Sequence, residues 1–138
     1  MNALSNAAKL REAFARWNES KGSDPSMWDD YTTEDLCIRS LGDGKNGLDF
    51  SCARNGRDQM HQYLKELTDA FEMVHWTLKD TIAQDDRVVG VGVTAWTHKA
   101  SGQTVETPVV VICRFRGDRV CEYQEFYDTA ALADVAGQ

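Results

Sequence analysis

The sequence predicts an α+β domain in which helices pack on one face of a mostly antiparallel sheet. Apolar residues recur at helical spacing in the first part of the chain, whereas from Met73 onward the pattern changes to consecutive β-like segments separated by short turns. Sequential strands joined by tight turns pair antiparallel, and helices that precede such a run cover one face of the sheet. We expect one domain over residues 1–138, because no repeat or linker divides the chain.

Three helical segments are expected before the run of four strands that starts at Met73. The first carries an apolar stripe of Ala3, Ala7, Leu10, Phe14 and Trp17, and the turn-forming residues 21–25 end it. A short second helix follows Pro25. The third begins at Asn55, a candidate N-cap residue, and carries the stripe Met60, Leu64, Leu67 and Phe71.

The strands are expected at residues 36–40, 73–83, 88–98, 105–115 and 120–127. Turn-forming residues separate the last four: Gln84-Asp85-Asp86, Ala100-Ser101-Gly102-Gln103 and Arg116-Gly117-Asp118. Gly90 and Gly92 fall within one strand, where we expect them to permit sharp curvature or a bulge. A short helix is expected to follow Asp128.

Charge and hydropathy exclude several partners. The net charge is −7, from 15 Lys and Arg against 22 Asp and Glu. An acidic chain is repelled by phosphate backbones and by anionic membrane surfaces, so we expect neither nucleic-acid nor membrane binding. The sequence contains no apolar stretch of signal-peptide or membrane-span length, which favours a cytoplasmic location.

Metal and cofactor sites are not expected. The four cysteines include no Cys-x-x-Cys pair, and in a reducing compartment they are interpreted as small buried apolar residues. The three histidines show no ligand spacing with a carboxylate.

The order of segments and three motifs resemble SnoaL-like proteins of the nuclear transport factor 2-like superfamily. The motifs are the ending Cys113 to Asp128 (CRFRGDRVCEYQEFYD), the helix start Gly56-Arg57-Asp58-Gln59-Met60, and the turn Asp85-Asp86-Arg87-Val88-Val89. The resemblance implies a cone-shaped curved sheet wrapped around the N-terminal helices. It also implies a pocket for an apolar small molecule inside the cone, and a homodimer.

The resemblance further implies acid–base chemistry of the kind run by isomerases, cyclases, dehydratases and hydrolases, but the known catalytic sets are incomplete. The ketosteroid isomerase base, tyrosine and second acid align near Ser40, Phe14 and Pro108. The last-strand aspartate of limonene epoxide hydrolases aligns with Glu125, while their Arg-x-Asp pair falls around residues 95–98 and is missing. Classical steroid isomerisation is therefore not expected.

Glu125 is the main catalytic candidate. Strand periodicity places it on one face with Tyr123 and Tyr127, and the resemblance puts that face inside the cone. A carboxylate among aromatic rings loses water, which raises its pKa toward the range of a general base. The alternative is that this face meets solvent and Glu125 is an ordinary exposed acid.

The other candidate site residues form a larger set. His75 is a candidate acid/base that shares a face with Met73 and Thr77, and Tyr31 or Tyr123 is a candidate hydrogen-bond donor to a developing oxyanion. The residues expected to line the pocket are Trp17, Trp28, Ser40, Trp76, Trp96, Tyr123 and Asp128. For each tryptophan the alternative is plain core packing, and for Asp128 the alternative is a helix N-cap.

Three classes of function fit these residues. The first is an enzyme acting on a hydrophobic carbonyl compound such as a polyketide, terpene or steroid-like molecule. The second is a ligand-binding module without turnover, and the third is a dimerisation module. Alternate strand residues such as Val110, Ile112 and Phe126 are expected to supply the apolar dimer surface.

Overall fold

The computed structural model describes residues 2–137. These residues form α1 (Ala3–Ser20), β1 (Thr32–Ser40), β2 (Arg54–Asn55), α2 (Arg57–Ala70), β3 (Phe71–Gln84), β4 (Arg87–His98), β5 (Thr104–Arg116), β6 (Arg119–Tyr127) and α3 (Thr129–Val135). Short 3-10 turns lie at Pro25–Asp30 and Asp49–Ser51. The predicted α+β class is confirmed, with helices on the inner side of one curved, open sheet.

The strands form a mixed six-stranded sheet in the order β2-β1-β6-β5-β4-β3. The segment from β3 to β6 is an antiparallel meander, as the turns in the sequence predict. Strand β1 pairs parallel with β6, so that Ser40 lies opposite Glu125. The two-residue β2 pairs with β1 and was not expected from the sequence.

Helix α1 follows the predicted stripe closely. The Asn2 side chain accepts a hydrogen bond of 2.9 Å from the Ser5 amide, which satisfies one of the free donors at the helix start. Lys21, in the left-handed conformation at φ 52°, ends the helix. The buried face contacts β3 and β4, and it consists of Asn6, Ala7, Leu10, Ala13, Phe14 and Trp17.

Helix α2 differs from the prediction at both ends. Gly56 rather than Asn55 occupies the N-cap position, with φ 87°, and the Asn55 amide is instead bound by the Gln59 side chain at 2.8 Å. Phe71 begins β3 directly after the last helical residue, so the chain turns from helix into strand without a loop. These ends place the buried stripe of Met60, Tyr63, Leu64 and Leu67 against the inner side of the sheet.

Bulges and close backbone approach curve the sheet. Strand β3 carries one extra residue between Met73 and His75 and another between Leu78 and Asp80. At Gly92, a side-chain Cβ would collide with the backbone carbonyl of Thr77 on β3. Because a backbone group cannot swing away as a side chain can, only glycine permits this approach, in agreement with the curvature role predicted for it.

The outer face of the sheet is partly apolar. Val89, Val93, Val110, Ile112 and Phe126 alternate with inward residues and are half-buried, and Val91 between them is exposed. None of the helices formed by residues 2–137 combines the length and the apolar character of a membrane span.

Candidate functional site

The inner side of the sheet and the helices enclose one apolar cavity with a volume of about 90 Å³. Its wall is rich in aromatic side chains: Phe14, Trp17, Trp28, Phe50, Tyr63, Phe71, Trp76, Trp96, Tyr123 and Tyr127. Glu125 is the charged member of the wall, and none of the lining residues in the described chain is basic. The cavity therefore presents a single carboxylate to whatever enters it.

Glu125 is buried, with 8% of its surface exposed. The Ser40 hydroxyl donates to Oε2 at 2.8 Å, and the Tyr63 hydroxyl donates to Oε1 at 3.0 Å and to Oε2 at 2.9 Å. Hydrogen bonds to a charged acceptor contribute about 1.5–3 kcal/mol each, so these donors offset much of the cost of burying the carboxylate.

The electrostatic balance at Glu125 favours the protonated form more than in water. Burial raises the pKa of Glu125 above its usual range, while hydrogen bonds from Ser40, Tyr63 and Tyr123 act in the opposite direction. Burial also raises the pKa of Tyr63, and the negative charge of Glu125 adds to that rise. The tyrosines are consequently neutral donors throughout the physiological range.

A second hydroxyl pair lies behind the carboxylate. The Ser40 and Tyr127 hydroxyls are 2.6 Å apart, and the backbone amide of Gly42 donates to the Tyr127 hydroxyl at 3.3 Å. Burial followed by the charge of Glu125 raises the pKa of Tyr127 to about 12. Hydroxyl groups from β1 and α2 thus bond the Glu125 carboxylate, and the loop after β1 bonds the Tyr127 hydroxyl next to them.

Strand geometry explains why Glu125 faces inward. Strand β6 pairs Arg114 with Glu122 but Phe115 with Val120, so Cys121 is an extra residue in the ladder. Beyond this bulge the alternation is regular, and Tyr123, Glu125 and Tyr127 line the cavity. Val120, before the bulge, also lines the cavity. In a regular strand Val120 would lie on the face opposite to Glu125.

The structure brings together most of the predicted pocket residues. Those in the cavity wall are Trp17, Trp28, Trp76, Trp96, Tyr123 and Glu125. Ser40 lies just outside the wall, but its hydroxyl bonds to Glu125. The aromatic rings also pack on one another: Phe14 stacks on Trp76 with centroids 3.9 Å apart, and Trp28 meets Phe14 edge-on at 5.2 Å.

His75 lies outside the cavity, and this corrects the role expected for it. The bulge after Met73 shifts the alternation by one residue, so that Trp76 rather than His75 points inward. The Asn18 side chain accepts from the Trp76 amide at 2.9 Å, and the Thr94 hydroxyl donates to the His75 carbonyl at 2.9 Å. Both bonds satisfy backbone groups next to the bulge, and the imidazole bonds Thr77 instead.

Tyr31 and Asp128 are also placed away from the cavity wall. The Tyr31 ring is buried, but its hydroxyl accepts from Arg16 at 3.1 Å and the guanidinium lies 5.5 Å from the ring centroid. The Asp128 carboxylate accepts a hydrogen bond from the Ala131 amide at 3.0 Å and caps α3. This is the helix N-cap that the sequence analysis gave as the alternative for Asp128. Neither side chain contacts Glu125.

Tyr63 is the site residue that the sequence analysis missed. The signal was present, because Tyr63 follows Met60 by three positions and therefore lies on the apolar stripe of α2. A tyrosine on a buried stripe needs a partner for its hydroxyl, and that requirement points to a buried acceptor. Among the described residues, no group of three or more His, Cys, Asp or Glu side chains is arranged to hold a metal ion.

Comparison with known proteins agrees with this architecture. The structure is similar to a nuclear transport factor 2-like protein from Burkholderia xenovorans, at 22% identity over 99% of both chains with a TM-score of 0.81. It is similar to a Catenulispora acidiphila protein with a ketosteroid isomerase-like fold, in complex with trimethylamine, at 16% identity over 91% of this chain and 92% of the other with a TM-score of 0.75.

A third similar structure is a Mesorhizobium loti protein proposed to be a SnoaL-like polyketide cyclase, at 15% identity over 87% of this chain and 97% of the other with a TM-score of 0.69. At these identities the likeness concerns the fold. No curated protein matches the sequence. The sequence does match the SnoaL-like domain over residues 10–123, which is most of the chain. This chain therefore belongs to the SnoaL-like family.

Proposed function

We propose that this protein is an enzyme that moves protons on a small, largely apolar carbonyl compound, with Glu125 as the general base. The observation that carries the proposal is a carboxylate that is 8% exposed, lies in an aromatic cavity and is held by hydroxyl groups rather than by a cation. Burial raises the pKa of Glu125 toward neutrality, the direction that a general base requires. The reaction classes that fit are isomerisation, cyclisation and dehydration.

In the proposed reaction, Glu125 takes a proton from the carbon beside the carbonyl, and the electrons of the C–H bond move to the carbonyl oxygen. The Tyr63 hydroxyl then donates to the developing enolate oxygen, with Tyr123 as the neighbouring donor. When Tyr63 turns from Glu125 to the substrate, the carboxylate loses a donor that lowers its pKa, and it becomes a stronger base. Return of the proton to a different atom completes an isomerisation.

The cavity limits the size of the substrate. A volume of about 90 Å³ is well below the roughly 300–1,000 Å³ of sites for drug-sized ligands. The four tryptophans in its wall occupy much of the interior. The proposal therefore favours a compound of few heavy atoms over an intact steroid or a polycyclic polyketide.

Exchange of the α-hydrogens of cyclopentanone into deuterated water, followed by NMR, tests the proposal. We expect the protein to accelerate exchange over buffer and Glu125→Gln to lower the rate by about 10²–10⁴-fold, the usual contribution of a positioned base. Glu122→Gln is the matched control, because Glu122 is on the exposed face of the same strand and bonds Arg114. Equal rates for Glu125→Gln and the native protein would contradict the assignment.

A second candidate function is the binding of a small amine cation without turnover. The carboxylate has no basic partner in the described cavity wall, and aromatic faces attract organic cations. The similar Catenulispora structure holds trimethylamine, a compound of suitable size. Calorimetry tests this second function. If it is correct, tetramethylammonium should bind the native protein and not the Glu125→Gln variant. Neutral tert-butanol should not distinguish the two proteins, because it carries no charge for Glu125 to attract.

The outer face of the sheet supports a proposal of self-association. Val110, Ile112 and Phe126 are neighbours across β5 and β6, and exposed Val91 extends the patch onto β4. A homodimer that buries this patch should sediment as such at micromolar concentration, and Ile112→Glu should convert it to monomer. Leu4→Glu, an exposed change on α1, is the control. A strictly monomeric native protein would contradict the proposal.

A further inference from the structure

A chain of hydroxyl groups leads from Glu125 through Ser40, which lies outside the cavity wall, to Tyr127. The Ser40 hydroxyl donates to Glu125 Oε2 at 2.8 Å, and it lies 2.6 Å from the Tyr127 hydroxyl. Ser40 is buried and lies outside the cavity wall, whereas Tyr127 is half-buried and also lines the cavity. We call Ser40 and Tyr127 the hydroxyl relay.

The backbone fixes the direction of these bonds. The Gly42 amide donates to the Tyr127 oxygen at 3.3 Å, so the proton of Tyr127 is free to point toward Ser40. Ser40 in turn uses its own proton for Glu125. When Glu125 is ionised, every donor in the chain therefore points toward the carboxylate.

The other neighbours of Glu125 do not offer such a connection. Tyr63 on α2 donates to both carboxylate oxygens, and burial followed by the charge of Glu125 raises its pKa. Tyr123 on β6 is half-buried and Cys113 on β5 is buried, and burial raises the pKa of each. Of the described hydroxyl groups that bond Glu125, that of Ser40 is the one that bonds onward to another hydroxyl, on the half-buried Tyr127.

We propose that the hydroxyl relay carries protons between Glu125 and solvent while the cavity is occupied. The proposal rests on the proposed function, because a base that has taken a substrate proton must be reset. The O–H bond of protonated Glu125 breaks as a bond to Ser40 Oγ forms. The former Ser40 proton passes to Tyr127 Oη, and the former Tyr127 proton passes to a water molecule, so that one proton leaves and no group is oxidised or reduced.

A rapid drop in pH, followed by infrared absorption of the protonated carboxyl, tests the relay. Subtraction of the Glu125→Gln signal isolates the band of Glu125, and xenon under pressure, which enters dry apolar cavities, fills the cavity. With xenon present, we expect Tyr127→Phe and Ser40→Ala each to slow protonation at least tenfold relative to the native protein. Tyr31→Phe, which removes a buried hydroxyl outside the network, should keep the native rate.

Two results would overturn the relay. One is a native rate for Tyr127→Phe, and the other is a native protein that xenon slows as much as the substitution does, since protons then travel through the cavity. Ser40→Ala provides the independent variant if Tyr127→Phe loses its native circular dichroism. The measurement needs no turnover, so failure of the relay and failure of the proposed function can be told apart. Failure of the relay is seen in the rates of Glu125 protonation, and failure of the proposed function is seen in the cyclopentanone exchange.

Discussion

The two walls of the cavity are built by different interactions. In one, Phe14, Trp17, Trp28 and Trp76 pack ring against ring, with centroid distances from 3.9 to 5.9 Å. In the other, the hydroxyl groups of Ser40 and Tyr63 bond Glu125 at 2.8 to 3.0 Å. Ring packing tolerates small displacements, whereas hydrogen bonds weaken steeply with angle. The first wall therefore supplies stability and shape, and under the proposed function the second supplies the chemistry.

The largest effect is expected on the aromatic wall. Trp76→Ala removes a buried ring that stacks on Phe14, and such truncations cost about 3–5 kcal/mol in the free energy of unfolding. Denaturant titration measures this loss. Glu72→Ala, an exposed change on the same strand, should change stability little. A loss below about 1 kcal/mol for Trp76→Ala would show that the ring stabilises the fold no more than a surface residue does.

On the polar wall, stability should depend on pH in a way that Glu125→Gln abolishes. Because burial raises the pKa of Glu125, the folded state holds this proton more tightly than the unfolded state does. The free energy of unfolding therefore falls as pH rises from the ordinary glutamate pKa through the raised one, by about 1.4 kcal/mol for each unit of the rise. The free energy of the native protein minus that of Glu125→Gln should decline across this window. A flat difference would mean that the carboxylate is not desolvated.

The smallest effect is expected at Asp128, outside both walls. Asp128→Ala should cost about 1 kcal/mol through loss of the N-cap of α3, and Asp128→Asn should retain most of the stability. Neither substitution should change tetramethylammonium binding or cyclopentanone exchange by more than twofold. A large loss of tetramethylammonium binding or of cyclopentanone exchange, with the fold intact, would show that Asp128 contributes to the site.

The sequence predicts the aromatic wall better than the polar one. The stripe of Leu10, Phe14 and Trp17 repeats with the helical period, so both the helix and its buried face follow from local spacing. Glu125 and Tyr123 were also identified, because period-two alternation in β6 is regular beyond Cys121 and the family resemblance places that face inside the cone. Local patterns are enough wherever one element alone determines which side chains face inward.

The remaining site features depend on contacts between distant elements. Ser40 meets Glu125 only because β1 pairs parallel with β6, and Tyr63 reaches it from α2, 62 positions earlier in the chain. The error at His75 comes from a bulge, and the side chains of Asn18 and Thr94 bond the backbone groups next to it. Alternation within β3 alone carries no sign of that extra residue.

The bulge at Cys121 has a consequence at the level of the gene. Because Cys121 has no partner in the β5 ladder, an in-frame deletion of its codon leaves Val120 and Glu122 opposite Phe115 and Arg114, and every later residue keeps its face. An in-frame insertion of one codon between Glu122 and Gln124 has the opposite outcome, because it turns the carboxylate to the outside and brings Gln124 inward. Two changes of equal length, a few codons apart, thus differ in whether the site survives.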